Sequence, residues 1–184
     1  MKPLPLVLVL GMAAAACSSA GGPGLGPAAP LATPRTYMTE GEMPHILTAS
    51  RPLQCVPYTR ALTGLPIRGH AWTWWPAAEG HYLRSRQPRP GAVLVLRRTA
   101  RLRYGHLAVV TRVINSRQVL VDHANWLNRG RIHRYAPVID VSPSNDWSAV
   151  RVWYIPGNTL GARTYPAHGF IHPVRIAAAP GAPI

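Results

Sequence analysis

Two residues in this chain have the types needed for nucleophilic acyl chemistry, a cysteine at Cys55 and a histidine at His106. Cys55 is the only cysteine besides Cys17 near the N-terminus. It lies in Gln54-Cys55-Val56-Pro57-Tyr58-Thr59-Arg60, where a loop is expected to turn into a helix. Free backbone N–H groups and the helix dipole favour negative charge there, so the sequence predicts an easily ionised thiol. Sulfur attacks as thiolate, and a neighbouring imidazole must take its proton and later return it to a leaving amine. The imidazole needs a third group to fix its tautomer. The oxyanion needs preorganised donors, of which the Cys55 backbone N–H is the expected one. The Gln54 side chain is a second candidate donor, but as the nucleophile's immediate neighbour it is expected to point elsewhere.

Strand register narrows the search for the third group. His106 to Ile114 and Gln118 to Trp126 both read as β-type runs, with Asn115-Ser116 between them as a hairpin turn. A two-residue loop there sets His106 opposite Asn125. It also sets His123 opposite Ala108, one diagonal step from His106 on the same face. A four-residue loop keeps this parity, whereas an odd-length loop reverses it. Asp122 is out of phase and is expected on the other face. Register alone leaves Asn125, His123 and Asp122 as the candidates to orient His106. Taken singly, each residue also has an ordinary role: a small buried hydrophobe for Cys55, a satisfied core histidine for His106, turn chemistry for Asn125. Their shared parity is what joins them into one constellation.

The elements that must position these groups follow from local signals. Cys55 to Leu62 reads as one short helix, with Pro57 in its first turn and Gly64 and Pro66 ending it. The aromatic segment Gly69 to Pro76 holds Trp72, Trp74 and Trp75, expected to pack the helix on a sheet, with one tryptophan a candidate cleft wall. Gly91 to Leu96 is a short apolar strand-like run bounded by Pro90 and Arg97, and Trp147 to Ile155 is the last such run. One early helix followed by antiparallel strands argues for an α+β domain over residues 46–156.

Composition limits the partners. The 184 residues carry 20 Lys+Arg against 6 Asp+Glu, a formal net charge of +14. Such a chain is drawn to anionic polymers. The arginines are scattered and no nucleic-acid motif is present, so no specific nucleic-acid partner is expected, and a basic anion- or nucleic-acid-binding module is the weaker rival. His70, His81, His106, His123 and His133 lack tight zinc spacing, so neither a metal nor another cofactor is expected.

The termini look different. Lys2 and the apolar run Leu4 to Ala16 form a signal peptide, residues 1–17, that ends in Ala14-Ala15-Ala16-Cys17. This resembles the lipobox of bacterial lipoproteins, with Ala14 where leucine is usual, and implies lipidation of Cys17; an ordinary cleaved signal is the alternative. Either form predicts export to the cell envelope, and the lipidated form predicts membrane anchoring. Residues 18–45 have linker composition, and residues 157–184, which include His168 and His172, are expected to be a Pro-rich flexible tail.

The ordered blocks Cys55-Val56-Pro57-Tyr58-Thr59-Arg60, Gly69-His70-Ala71-Trp72 with Trp75, Pro90-Gly91-Ala92-Val93, Gly105-His106-Leu107-Ala108-Val109-Val110 and His123-Ala124-Asn125-Trp126 resemble a CHAP domain. This is a family of cysteine- and histidine-dependent amidohydrolases/peptidases in the papain-like, NlpC/P60-related superfamily. The resemblance implies a papain-like α+β fold, with a helix carrying the cysteine packed on an antiparallel sheet carrying the histidine. It implies Cys55 as nucleophile and His106 as general base and acid. Where the family often has Glu or Asp followed two residues later by Asn, this chain has His123 and Asn125; a neutral imidazole supplies no fixed negative charge, so the resemblance favours Asn125 as orienter, with His123 second and Asp122 third. The implied substrate is peptidoglycan, cut at an amide bond by a monomeric enzyme. The rival from the same resemblance is a non-enzymatic envelope-binding protein with a decayed site, suggested by His123 in place of a carboxylate.

Overall fold

The computed structural model describes residues 39–127 and 129–176. The signal peptide, Cys17 and most of the expected linker lie outside the described residues. Eight strands and two short helices make up the fold: β1 His45–Leu47, α1 Cys55–Thr63, α2 Trp74–Ala77, β2 Tyr82–Ser85, β3 Val93–Leu96, β4 His106–Asn115, β5 Gln118–Ala124, β6 Ile132–Asp140, β7 Ala149–Tyr154 and β8 Thr159–Arg175.

All strand pairs are antiparallel. The order β6-β5-β4-β3-β8 is closed by β7, which pairs with both β6 and β8, so six strands form a barrel. Short β1 and β2 add to it on β6 and β8. The expected papain-like helix-plus-sheet fold is therefore overturned: the protein is mostly β, and its helices are nine and four residues long. The physical reason lies in β8. Residues 159–175, expected to be a flexible tail, are a strand whose first half pairs with β7 and whose second half pairs with β3 and β2. Pro166 does not break it, because it stands where β8 passes from β7 to β3 and contributes its carbonyl oxygen to the Arg97 N–H at 2.8 Å. At the other end the folded unit reaches into the expected linker, where Glu42 pairs with Arg112.

Two apolar layers explain the continuous run Val93-Leu94-Val95-Leu96. Leu94 and Leu96 point into the barrel with Val110, Val121, Val152 and Phe170. Val93 and Val95 point outward under Trp74, Leu65 and Ile171, the layer against which Cys55 and Val56 of α1 pack. A strand buried on both faces needs no polar alternation. Helix α1 itself follows its local signals: Gln54 is the extended N-cap, and Gly64, at φ 70°, closes the helix with its N–H on the Arg60 carbonyl.

The β4–β5 hairpin departs from expectation and yet reaches the expected register. Its turn is Ser116-Arg117, one residue later than expected, with Asn115 and Gln118 paired across it. Two register shifts, at Thr111 and at Ile114, then bring Val109 opposite Asp122. Two single-residue bulges on one strand restore parity, so His106 and His123 still share a face.

Candidate active site

The site is built at one mouth of the barrel, where the interior rows of β4 and β5 end in His106 and His123. Gly105 admits His106 to the row: at φ +67°, a side chain there would meet the Leu96 carbonyl oxygen and the Trp72 nitrogen, each at 2.9 Å. His106 Nε2 lies 3.0 Å from His123 Nδ1. The two rings meet edge-on with centroids 5.1 Å apart, and Trp126 packs against both at 4.9 and 5.4 Å. His106 is 4% exposed and His123 1%.

Cys55 comes from outside the barrel, at the start of α1, and lines the same cavity as His106. The chain before it is clasped by the β5–β6 loop. The Leu53 N–H donates to the Gly130 carbonyl at 3.0 Å, Asn125 Nδ2 donates to Gln54 Oε1 at 2.7 Å, and the Gly130 N–H donates to Asn125 Oδ1 at 3.0 Å. Gly130 must be glycine, since a Cβ there would fall 2.5 Å from Pro52 Cα.

Of the three candidate orienters, the structure brings His123 to His106. Asn125 is committed to Gln54 and Gly130, so it positions the nucleophile's loop rather than the imidazole. Asp122 points to the other face, where its carboxylate pairs with Arg134 at 2.6 Å and accepts the Tyr135 N–H at 2.9 Å. Gln54, expected to point elsewhere, lines the cavity.

The hydrogen-bond chemistry of two imidazoles fixes the productive tautomers. For His106 Nδ1 to accept a thiol proton, its Nε2 must carry hydrogen and donate to His123 Nδ1, and His123 then carries its own hydrogen on Nε2. That Nε2 is buried with no hydrogen-bond partner among the described residues. Beside it stands the His133 ring, edge-on at 5.2 Å, whose Nδ1 is equally without a partner. Sequence reasoning gave His133 no role, because its place depends on β6 pairing with β5.

Burial sets the protonation. Loss of solvent pulls His106 down to about 3, with His133 a second cause. It holds His123 well below the ordinary imidazole range, helped by His106 and His133, and pulls His133 to about 4. The Cys55 thiol is raised by the same loss of water, against the opposing pull of the Leu107, Val56 and Cys55 backbone N–H groups. The expectation of an easily ionised thiol is thus corrected: desolvation outweighs the helix terminus. Both groups are neutral at rest.

The cavity has a volume of about 540 Å3 and is bounded by Gln54, Cys55, His106, Trp126 and Tyr165, with Arg101, Arg103, Tyr104 and Arg163 around them. Arg163 and Tyr165 come from β8, so the supposed tail supplies part of the cleft. Among the described residues no cluster of His, Cys, Asp and Glu is arranged to hold a metal ion.

Comparison with known families places this constellation. Residues 48–125 match the family model of the CHAP domain. That stretch, which contains Cys55, His106, His123 and Asn125, is similar to a family of cysteine- and histidine-dependent amidohydrolases and peptidases associated with peptidoglycan. No curated protein matches the chain.

Proposed function

We propose that the protein is an exported peptidoglycan amidase or endopeptidase that cleaves an amide bond through a thioacyl-enzyme on Cys55. The observation that carries this reading is the His106–His123 pair at the mouth that Cys55 also lines. As the sulfur attacks the scissile carbonyl carbon, His106 Nδ1 takes its proton, so the thiolate exists only during attack. The carbonyl electron pair moves to oxygen, where the Cys55 backbone N–H and the Gln54 amide NH2 group are the donors. Gln54 suits this role because Asn125 occupies its carbonyl oxygen. Collapse of the intermediate breaks the C–N bond, and His106 gives its proton to the departing amine. Water then attacks the thioester, His106 again taking and returning a proton, and the free thiol and carboxylic acid are released. His123 accepts from His106 Nε2–H throughout and stabilises the imidazolium by hydrogen bonding rather than by fixed charge.

Export and lipidation at Cys17 complete the proposal: a tethered enzyme facing the wall. The test is digestion of purified peptidoglycan with the full chain, reading new amino groups and the masses of the released muropeptides. Wild-type turnover lost in Cys55→Ala supports the reading, and no turnover on any wall type sinks it. Membrane-fraction retention that persists in Cys17→Ala would remove the lipid anchor. A second reading, an envelope-binding protein without activity, is favoured by one observation, that no carboxylate reaches His106. It predicts wall binding that is unchanged by Cys55→Ala and no released amines.

A further inference from the structure

Charge is unevenly matched over this molecule. Five of the chain's six acids are each paired with an arginine: Glu42 with Arg112, Glu79 with Arg84, Asp122 with Arg134, Asp140 with Arg117 and Asp146 with Arg86. The sixth, Glu40, stands in the exposed turn at the start of the described chain. No acid borders the catalytic cavity, whereas Arg101, Arg103 and Arg163 do.

The cavity has two extensions of opposite character. Past Arg103 and Tyr104 it adjoins a hollow of about 710 Å3 bounded by His70, Trp72 and Arg98. There Arg98 lies over the Trp72 ring at 5.2 Å and His70 stacks on Tyr104 at 4.7 Å. Past Trp126 and Tyr165 it adjoins a hollow of about 400 Å3 walled by Val152, Tyr154 and Leu160. One arm is basic and aromatic, the other apolar save for Arg163, which it shares with the cavity, and Cys55 lines the cavity that adjoins both.

Arg98, Arg101 and Arg103 fall within six residues of one loop, so their permanent charges repel one another and have no acid of the chain to relieve them. An anion in the basic arm would remove that repulsion and accept forked hydrogen bonds. The basic arm shares Arg103 and Tyr104 with the cavity that Cys55 lines, so the anion that fits it best is one carried by the substrate near its scissile bond. In a peptide, that group is a carboxylate.

We infer that the cleft selects amide substrates bearing a free carboxylate on one side of the scissile bond, held by Arg98, Arg101 and Arg103, with an uncharged group on the other side in the Val152–Leu160 arm. This rests on the hydrolase reading and adds a rule of substrate choice to it. Carboxylates masked as amides would remove the selected feature while leaving the bond intact.

The test uses the full chain and two synthetic muropeptides identical except that their stem carboxylates are free or amidated. The free form is expected to be turned over with about tenfold higher kcat/KM, chiefly through KM. Raising salt should shrink the preference, because these arginines are exposed. The double variant Arg101→Gln/Arg103→Gln should lose the preference, and Arg101→Lys/Arg103→Lys should keep part of it. Equal turnover of the two peptides by active enzyme overturns the inference and leaves the hydrolase reading standing. So does inhibition by inorganic polyphosphate with no carboxylate preference, which would assign the arm to phosphate polymers. If neither peptide is cleaved, titration calorimetry of the same pair decides: tighter binding of the free form upholds the selection rule while the hydrolase reading falls, and equal binding overturns both.

Discussion

The stretch that matches the CHAP family and the strands that follow it meet at one cavity but contribute differently. Residues 48–125 carry the thiol, both hydrogen-bonded imidazoles and Gln54. Residues 126–176 carry Trp126, Arg163 and Tyr165 around that chemistry, close the barrel, and stand His133 behind His123. The first region holds groups whose positions must be correct to a fraction of an ångström. The second supplies walls, exclusion of water and part of the charge. The thiol, the paired histidines and the arginines of the basic arm thus come from the first region, while the second closes the barrel and walls the cavity, and each contribution can be tested separately.

The largest effect belongs to Cys55→Ala, expected to lower kcat by at least about 10³-fold with an unchanged circular dichroism spectrum. A residual rate within tenfold of wild type would place the nucleophile elsewhere. His123→Leu removes the acceptor for His106 Nε2–H and should lower kcat by about 10²-fold with little change in KM. Asn125→Ala should instead loosen the clasp on Gln54, with a loss of about 1–2 kcal/mol in denaturant unfolding and a smaller loss of rate. If Asn125→Ala cost more catalysis than His123→Leu, the assignment of the orienter would be reversed.

In the closing region, Phe170→Ala opens a cavity beside the fully buried Trp147 ring, which Phe170 meets edge-on at 5.3 Å. It should cost about 3–4 kcal/mol in urea unfolding. Near-zero cost would mean that β8 is dispensable and the barrel open. Acidity provides a milder probe of both regions at once. His106, His123 and His133 are held neutral in the folded state, below the ordinary value of 6.5, while the unfolded chain takes up protons at that value. Their contribution is complete above about pH 6.5 and is lost as pH falls toward 3–4. Thermal melts should drop on the order of 10 °C between about pH 7.5 and pH 4.5, and His133→Phe should reduce that drop. The thiol shifts the opposite way, so iodoacetamide labelling of Cys55 should rise only above its ordinary value of 9.0. The smallest effect is expected from Arg163→Gln, an exposed charge, at about two- to fivefold in KM.

Much of the site was legible in the chain because its signals are local. A cysteine before Pro57 and ahead of Gly64 announces a helix that opens on sulfur, and the structure has α1 at Cys55–Thr63. Parity along β4 and β5 placed His106 and His123 on one face and Asp122 on the other. That inference reached the correct register through a turn set one residue too early, compensated by bulges at Thr111 and Ile114 that no composition signal marks.

What stayed illegible depends on contacts between distant segments. Prolines in residues 157–184 weigh against regular structure, yet Pro166 needs no donor where β8 changes partners, and only the neighbouring β3 and β7 make that so. With β8 misread, the barrel could not be foreseen, nor Arg163 and Tyr165 as cleft residues. Asn125 against His123 was likewise beyond reach, because it turned on whether the β5–β6 loop takes up the Asn125 amide. The sequence by itself determined which atoms can attack and which can carry the proton, since residue type and period are properties of short stretches. Tertiary structure alone decided that burial raises the Cys55 thiol, that His123 rather than Asn125 meets His106, and that six strands close around them, since desolvation and strand closure exist only once remote segments have met.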